Sequence, residues 1–278
     1  MPHTSVILNI DADHLEFFKT MDNLKEAFHK FALLTEHRVI ANIDDANTVA
    51  VMGRVDRDVR TFGIRQQADY RAVNVREYRP SFFEFDVAVH GAPGVHVRLS
   101  VPGYHNVYNA LAAYACAEGA GCTPGQCAQG LAAFRGAGRR FEILGEVNGV
   151  TIADDYAHHP TELEATLRAA KEMDYKKVWA VFQPFTYSRT QMLLEEFARV
   201  LPIADNVVMT EIMGSRERAE DYTVRTKDLA AKIPGSVWFP TFEEVVGHVL
   251  ANAQPGDLVI TLGCGDIYKA AKMMMARA

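Results

Sequence analysis

No G-x-x-x-x-G-K-[ST] phosphate loop occurs anywhere in the 278 residues, so the commonest backbone cradle for nucleotide phosphates is absent from the chain. No apolar run approaches the roughly 20 residues that a membrane-spanning helix needs, and Met1-Pro2-His3-Thr4 has neither the charged nor the apolar region of a signal peptide. The expected location is the cytoplasm. Cysteine is scarce: Cys116, Cys122, Cys127 and Cys264 show no C-x-x-C spacing, which favours reduced thiols in or near a core over disulfides or zinc ligands. Extended basic runs are missing too, and the net charge of −6 argues against a nucleic-acid surface. An anionic small substrate would need local positive charge. What is present, 49% hydrophobic and 23% charged residues, is the balance of a globular chain long enough for two cores.

The C-terminal half alternates apolar runs with helix-length amphipathic segments, the pattern of a mostly parallel sheet covered on both faces. Strands are predicted at Val150–Ala153, Val178–Phe182, Asn206–Thr210, Val237–Phe239 and Leu258–Leu262, with helices near 161–173, 190–201, 225–232, 242–253 and 266–277. Short right-handed crossovers make a Rossmann-like α/β domain the economical topology. In the N-terminal half, Met21–Leu34 reads as an amphipathic helix and Arg38–Asn42 as a strand. Residues 70–99 read as antiparallel hairpins turning at Arg79-Pro80 and Gly91-Ala92-Pro93-Gly94, followed by helices near 105–119 and 124–133. Val6-Ile7-Leu8-Asn9-Ile10 is apolar almost throughout and predicts an interior strand, buried on both faces, which suggests that the chain begins inside a domain. The boundary is placed at Gly138-Arg139-Arg140-Phe141, giving domains 1–140 and 141–278.

Asp154-Asp155-Tyr156-Ala157-His158-His159-Pro160-Thr161-Glu162 carries the densest chemistry, at a strand-to-helix turn where open α/β sheets bind ligands. Pro160 suits the first helical position, and the helix start offers backbone N–H groups and a positive dipole end. A capped helix with surface histidines is the plainer reading. Gln183-Pro184-Phe185-Thr186-Tyr187-Ser188-Arg189-Thr190 follows the next strand and is expected at the neighbouring sheet end. There Arg189 could grip a carboxylate or phosphate with two hydrogen bonds, or lie solvated on the surface.

Three weaker signals remain. Asn9-Ile10-Asp11-Ala12-Asp13-His14 sets carboxylates and an imidazole at a strand end, where one or two protein groups can suffice for Mg²⁺, although a lone histidine is equally a structural residue. Asn106 and Asn109 lie three apart at a helix start and pair a donor with an acceptor, as an adenine edge requires; an ordinary cap is the alternative. Gly263-Cys264-Gly265-Asp266 ends the last strand, either as a close-approach turn for a ligand or as a plain tight turn.

Taken in order, NIDADH, HNVYNALAA, GRRFE, DDYAHHPTE, QPFTYSRT and GCGDI resemble the Mur ligase family over nearly the whole chain, in particular the members that join L-alanine to UDP-N-acetylmuramate. The DDYAHHPTE and QP-x-x-Y-x-RT segments carry most of that specificity. The resemblance implies a truncated central ATPase domain followed by a Rossmann-like C-terminal domain. It also implies a ligase reaction of peptidoglycan precursor synthesis, in which ATP with Mg²⁺ converts the muramyl carboxylate to an acyl phosphate that the amine of L-alanine attacks. By the same resemblance Tyr156, His158 and Arg189 position the muramyl substrate and its intermediate, Asn106 and Asn109 contact adenine, Arg140 the nucleotide phosphates, Asp155 the ribose, and His14 the magnesium.

The chain departs from the family pattern in two places. Phe185 stands where the family usually has histidine. The UDP-binding domain and the phosphate-loop part of the ATPase domain have no counterpart, so the chain is expected to be inactive alone. A non-catalytic nucleotide- or muramyl-binding module, or one chain of a split ligase whose other half is a separate N-terminal chain, are the alternatives.

Overall fold

The computed structural model describes residues 1–277, the side chain of residue 16 excepted. Two compact units follow one another, the first ending at Arg135 and the second beginning at Gly136. Each is an α/β unit built on a six-stranded, mostly parallel sheet. Among the described residues no helix is long and apolar enough to cross a membrane.

The first unit runs β1 (Thr4–Ile7), α1 (Leu15–Phe18), α2 (Met21–Leu33), β2 (Arg38–Asn42), α3 (Ala46–Met52), β3 (Asp58–Gly63), β4 (Tyr70–Arg79), β5 (Phe82–Val89), β6 (His96–Arg98), α4 (His105–Gly119) and α5 (Pro124–Ala133). Its strands lie in sequence order; β1 to β4 are parallel, and β4, β5 and β6 form the antiparallel meander expected from the two turns. Helix α2 packs Leu24 and Ala32 with Ile7, Val39 and Val51 on one face. On the other, Val107, Leu111 and Tyr114 of α4 close over Ile40, Phe62 and Phe85.

The first strand differs from its prediction. It is an edge strand partnered by β2 alone, and its ladder stops at the Ile7–Ala41 pair. Side chains alternate across it: Ser5 and Ile7 are buried, whereas Val6 is 37% and Leu8 40% exposed. Beyond Ile7 the chain leaves the sheet and is held by side chains instead. Asn42 Nδ2 donates to the Leu8 carbonyl at 3.0 Å, Asp45 accepts the Ile10 N–H at 3.2 Å, and Asn47 Nδ2 donates to the Ile10 carbonyl at 2.8 Å. An apolar run therefore looked like a longer strand because polar residues some 35 positions away take over its backbone bonds.

The second unit runs β7 (Glu142–Val147), β8 (Val150–Asp155), α6 (Pro160–Glu172), β9 (Val178–Phe182), α7 (Tyr187–Met192), α8 (Leu194–Val200), β10 (Asn206–Thr210), α9 (Thr226–Ala230), β11 (Val237–Phe239), α10 (Phe242–Asn252), β12 (Leu258–Leu262) and α11 (Tyr268–Met275). The spatial order is β11-β10-β9-β12-β8-β7, all parallel except β7. Leu163, Leu167, Phe197 and Leu229 cover one face, and Val245, Val249, Ala270 and Met274 the other. Both faces being covered, β9 and β12 are buried at every position.

Two details correct the sequence reading. The segments after β8 and β9 are not at neighbouring strand ends, because β12 lies between them. The helix expected over 190–201 is two helices meeting at Leu193, whose backbone (φ −109°, ψ 23°) breaks the helical path. Four of the elements described had no sequence signal read from them: α1, α3, β3 and the antiparallel edge strand β7.

Candidate functional site

The carboxyl ends of β8, β12 and β9 bring three of the sequence segments together in the second unit. Strand β8 ends in two buried carboxylates with different surroundings. Asp154 is 2% exposed; its Oδ1 accepts the Thr261 hydroxyl at 2.6 Å and its Oδ2 the Arg139 Nε–H at 2.8 Å. The same guanidinium donates to the carbonyls of Gly265 at 3.2 Å and Gly263 at 2.6 Å, and lies 5.0 Å from the Tyr156 ring centre and 4.9 Å from that of Tyr268. Arg139 thus ties two strand ends together, a role that an Arg-Arg pair does not reveal in sequence. Arg140 is different: its side chain is 55% exposed, with Nη1 at 3.9 Å from Glu162 and the guanidinium carbon at 5.3 Å from the Tyr156 ring centre. It is the one of the pair available to an anion.

Asp155 accepts two backbone N–H groups, Ala157 on Oδ1 and Phe141 on Oδ2, each at 2.7 Å. Burial nevertheless outweighs both bonds and the charge of Arg140, and pushes its pKa up to about 6. The following turn opens α6 as its sequence predicts, with Pro160 in the first helical turn, His159 Nδ1 accepting the Thr161 N–H, and Glu162 accepting the N–H groups of His158 and His159. His158 Nδ1 faces two acceptors, the Tyr156 carbonyl at 3.1 Å and Glu162 Oε2 at 3.2 Å. This pair of acceptors favours the tautomer of a neutral His158 that carries its proton on Nδ1.

At the end of β9 the Gln183 side chain clamps the turn after β12. Its Oε1 accepts the N–H groups of Asp266 and Ile267, both at 3.1 Å, and its Nε2 donates to Asp266 Oδ1 at 3.0 Å. A Cβ at Gly265 would come within 2.5 Å of both Gln183 Oε1 and Met213 Sδ, so a side chain there would displace the Gln183 carboxamide from its clamp. The turn weighed as either plain or ligand-binding is thus at least a built junction between β9 and β12. The His158 and Phe185 rings meet edge-on at 6.5 Å, so the two motif segments approach each other past the β12 turn. Arg189 is 4% exposed, which sets aside the solvated-surface alternative.

Cys264 lies in the same turn, and burial pushes its thiol up to about 11 against the pull of Arg189 and Arg139. Burial also raises Cys116 and Cys127, whereas Cys122 is exposed. Iodoacetamide at pH 8 is expected to alkylate Cys122 first and Cys264 at least about tenfold more slowly, read by peptide mass spectrometry; equal rates would contradict this placement.

The first unit holds the other candidates. His14 begins α1 in a left-handed conformation (φ 55°), with a 60% exposed side chain and Nε2 at 3.6 Å from Asp13. Among the described residues no group of three or more His, Cys, Asp or Glu is gathered that could hold a metal ion. Asn106 and Asn109 lie within α4 and do not cap it; Tyr104 occupies the cap position. Asn106 Nδ2 donates to the Pro102 carbonyl at 2.8 Å and Asn109 Nδ2 to Asn106 Oδ1 at 2.9 Å, which makes the two carboxamides one joined polar edge.

Residues 1–117 match the model of the Mur ligase middle domain, and residues 139–265 that of the Mur ligase glutamate ligase domain. The chain belongs to the Mur ligase family. It is 41% identical to the UDP-N-acetylmuramate–L-alanine ligase of Alkaliphilus metalliredigens and 39% identical to that of Caldanaerobacter subterraneus subsp. tengcongensis, in each case over 99% of this chain and 61% of the relative. The crystal structure of the Thermotoga maritima UDP-N-acetylmuramate–alanine ligase superposes with a TM-score of 0.79 at 26% identity, covering 99% of this chain and 59% of that one. This Mur ligase chain therefore spans about three-fifths of the length of these relatives. Its match to the middle domain contains His14, Asn106 and Asn109; its match to the glutamate ligase domain contains Arg140, Asp155, Tyr156, His158 and Arg189.

Proposed function

We propose that this chain supplies the middle and C-terminal portions of a UDP-N-acetylmuramate:L-alanine ligase. The reading rests on Arg189, a buried arginine in the segment whose Phe185 ring meets that of His158, in a chain about 40% identical throughout to proteins of that name. A carboxylate resists attack by an amine until one oxygen becomes a phosphate leaving group, and fixed positive charge must answer the negative charge that gathers there. In this reading Arg189 holds the oxygens of the muramyl carboxylate and of its acyl phosphate. Tyr156 and His158 help to position the same substrate and its intermediate. Asp155 and Arg140 serve the ribose and phosphates of ATP, and Asn106 with Asn109 its adenine edge. His14 contributes at most one contact to magnesium, whose remaining ligands would be phosphate oxygens and water.

The 278 residues hold no phosphate loop, so ATP turnover is expected only when one is supplied from outside them. The test is phosphate release with Mg-ATP, UDP-N-acetylmuramate and L-alanine, using this chain alone and mixed with the N-terminal half of a full-length relative. Activity is expected in the mixture alone, and Arg189→Ala should lower it on the order of 10²–10³-fold, the usual cost of removing one charge-stabilising donor. Substrate-dependent turnover by the chain alone would overturn the inactivity. Silence in a mixture whose halves associate would favour a non-catalytic binding module.

A further inference from the structure

The backbone at Thr186 is held in a conformation that threonine avoids, with φ 61° and ψ 142°. A β-branched residue at positive φ is a true outlier, and such strain persists only where the surroundings impose it. The surroundings here are specific. The Thr186 N–H donates to the Met213 carbonyl at 2.9 Å, and the Met213 N–H donates to the Pro184 carbonyl at 2.9 Å, so the loop after β10 is zipped to the exit of β9. Thr186 Oγ1 accepts the Arg189 N–H at 3.4 Å, and the Thr186 carbonyl accepts the Thr190 hydroxyl at 2.7 Å. From the same loop, Glu217 accepts the Ser188 N–H at 2.9 Å on one oxygen and the Ser188 hydroxyl at 2.5 Å on the other.

A six-residue helix such as α7 has little stability of its own, so what fixes Arg189 must come from outside it. We infer that Thr186 and Glu217 are positioning residues: the strained turn sets the direction of α7, the Glu217 carboxylate anchors its first turn, and together they hold the buried Arg189 guanidinium in one orientation. Neither residue touches substrate in this account; both act through Arg189. The claim that this orientation serves ligand binding rests on the proposed function, whereas the claim that it is imposed does not.

Glycine separates strain from function. Thr186→Gly removes the steric conflict at positive φ but also the restriction and the hydroxyl. Two readouts are taken on the full chain. The first is solvent exchange of the Arg189 Nε–H, measured by NMR and assigned through its loss in Arg189→Lys. The second is affinity for UDP-N-acetylmuramoyl-L-alanine, measured by calorimetry.

The expected result is an Nε–H exchange at least tenfold faster and an affinity about tenfold weaker in Thr186→Gly and in Glu217→Ala. The urea midpoint of Thr186→Gly should be unchanged or higher, and Thr186→Ser, which keeps the hydroxyl, should restore most of both readouts. Unchanged Arg189 exchange in both variants overturns the inference, as does a loss of affinity that merely tracks a fall in the urea midpoint. A wild-type chain that fails to bind the probe removes the functional reading, and the exchange measurement, which needs no ligand, still decides the positioning claim.

Discussion

Arg139→Ala should destabilise the second unit by about 3–5 kcal/mol, while Arg140→Ala, one residue along, should change it by no more than about 0.5 kcal/mol. The contrast follows from what each guanidinium leaves behind. Without Arg139 the Asp154 carboxylate, 2% exposed, keeps only the Thr261 hydroxyl, and the carbonyls of Gly263 and Gly265 lose their donor at the end of β12. An uncompensated buried charge is among the costliest single lesions available to a fold. Arg140 is 55% exposed and its nearest carboxylate oxygen is 3.9 Å away, a distance at which solvent screens most of the attraction. Both tryptophans, Trp179 and Trp238, belong to the second unit, so urea unfolding followed by tryptophan fluorescence reports this unit without interference from the first. A cost below about 1 kcal/mol for Arg139→Ala would mean that the described clamp does not hold.

The pair also illustrates what could be read from the sequence. Runs such as Val178–Phe182 and Leu258–Leu262 announce themselves as strands because a sheet covered on both faces makes every residue apolar. The DDYAHHPTE turn was legible for a local reason, Pro160 and Glu162 marking a helix start directly after an apolar run. Strand order is not local. Nothing in the periodicity says that the last strand, β12, returns between β8 and β9, and so the two motif segments were expected to be adjacent when the Gly263–Gly265 turn in fact lies between them.

Polar side chains that replace backbone ladders were illegible for the same reason. Asn42, Asp45 and Asn47 hold residues 8–10, and Gln183 clamps the turn after β12, through contacts between segments distant in sequence. The strand β3, with only Phe62 and Gly63 buried among its six residues, lacks the apolar alternation that would have marked it. Candidate site residues could be named where chemistry clusters in a motif, as at Tyr156, His158 and Arg189. Residues that fix other parts of the fold, as Arg139 and Gln183 do, carried no such signal.

Asp155 gives a pH dependence whose sign is opposite to that of an ordinary paired carboxylate. Its pKa is raised from 3.8 to about 6, because burial disfavours its charge more than two backbone N–H groups and Arg140 favour it. Between these values the folded state binds a proton that the unfolded state has released, so the stability of the second unit falls as pH rises. The contribution is complete below about pH 4 and is lost as pH passes through about 6; a shift of this size corresponds to roughly 3 kcal/mol. Carboxylates held low in the same unit, Asp205, Glu164 and Asp266, slope the other way and would mask the effect in the wild-type curve alone. The comparison with Asp155→Asn cancels them. The variant loses one of the two accepting oxygens at every pH, a constant penalty, but it has no proton to exchange. Relative to wild type it should therefore gain up to about 3 kcal/mol between pH 4 and pH 7.5, measured by urea unfolding with tryptophan fluorescence. A difference that stays flat across this range would show that the Asp155 carboxyl ionises as readily when folded as when unfolded, and that the two backbone N–H groups fully offset its burial. A ribose hydroxyl placed on this carboxylate would then gain nothing from its desolvation, whereas the expected slope would mark Asp155 as a group that a polar ligand donor stabilises in its charged form.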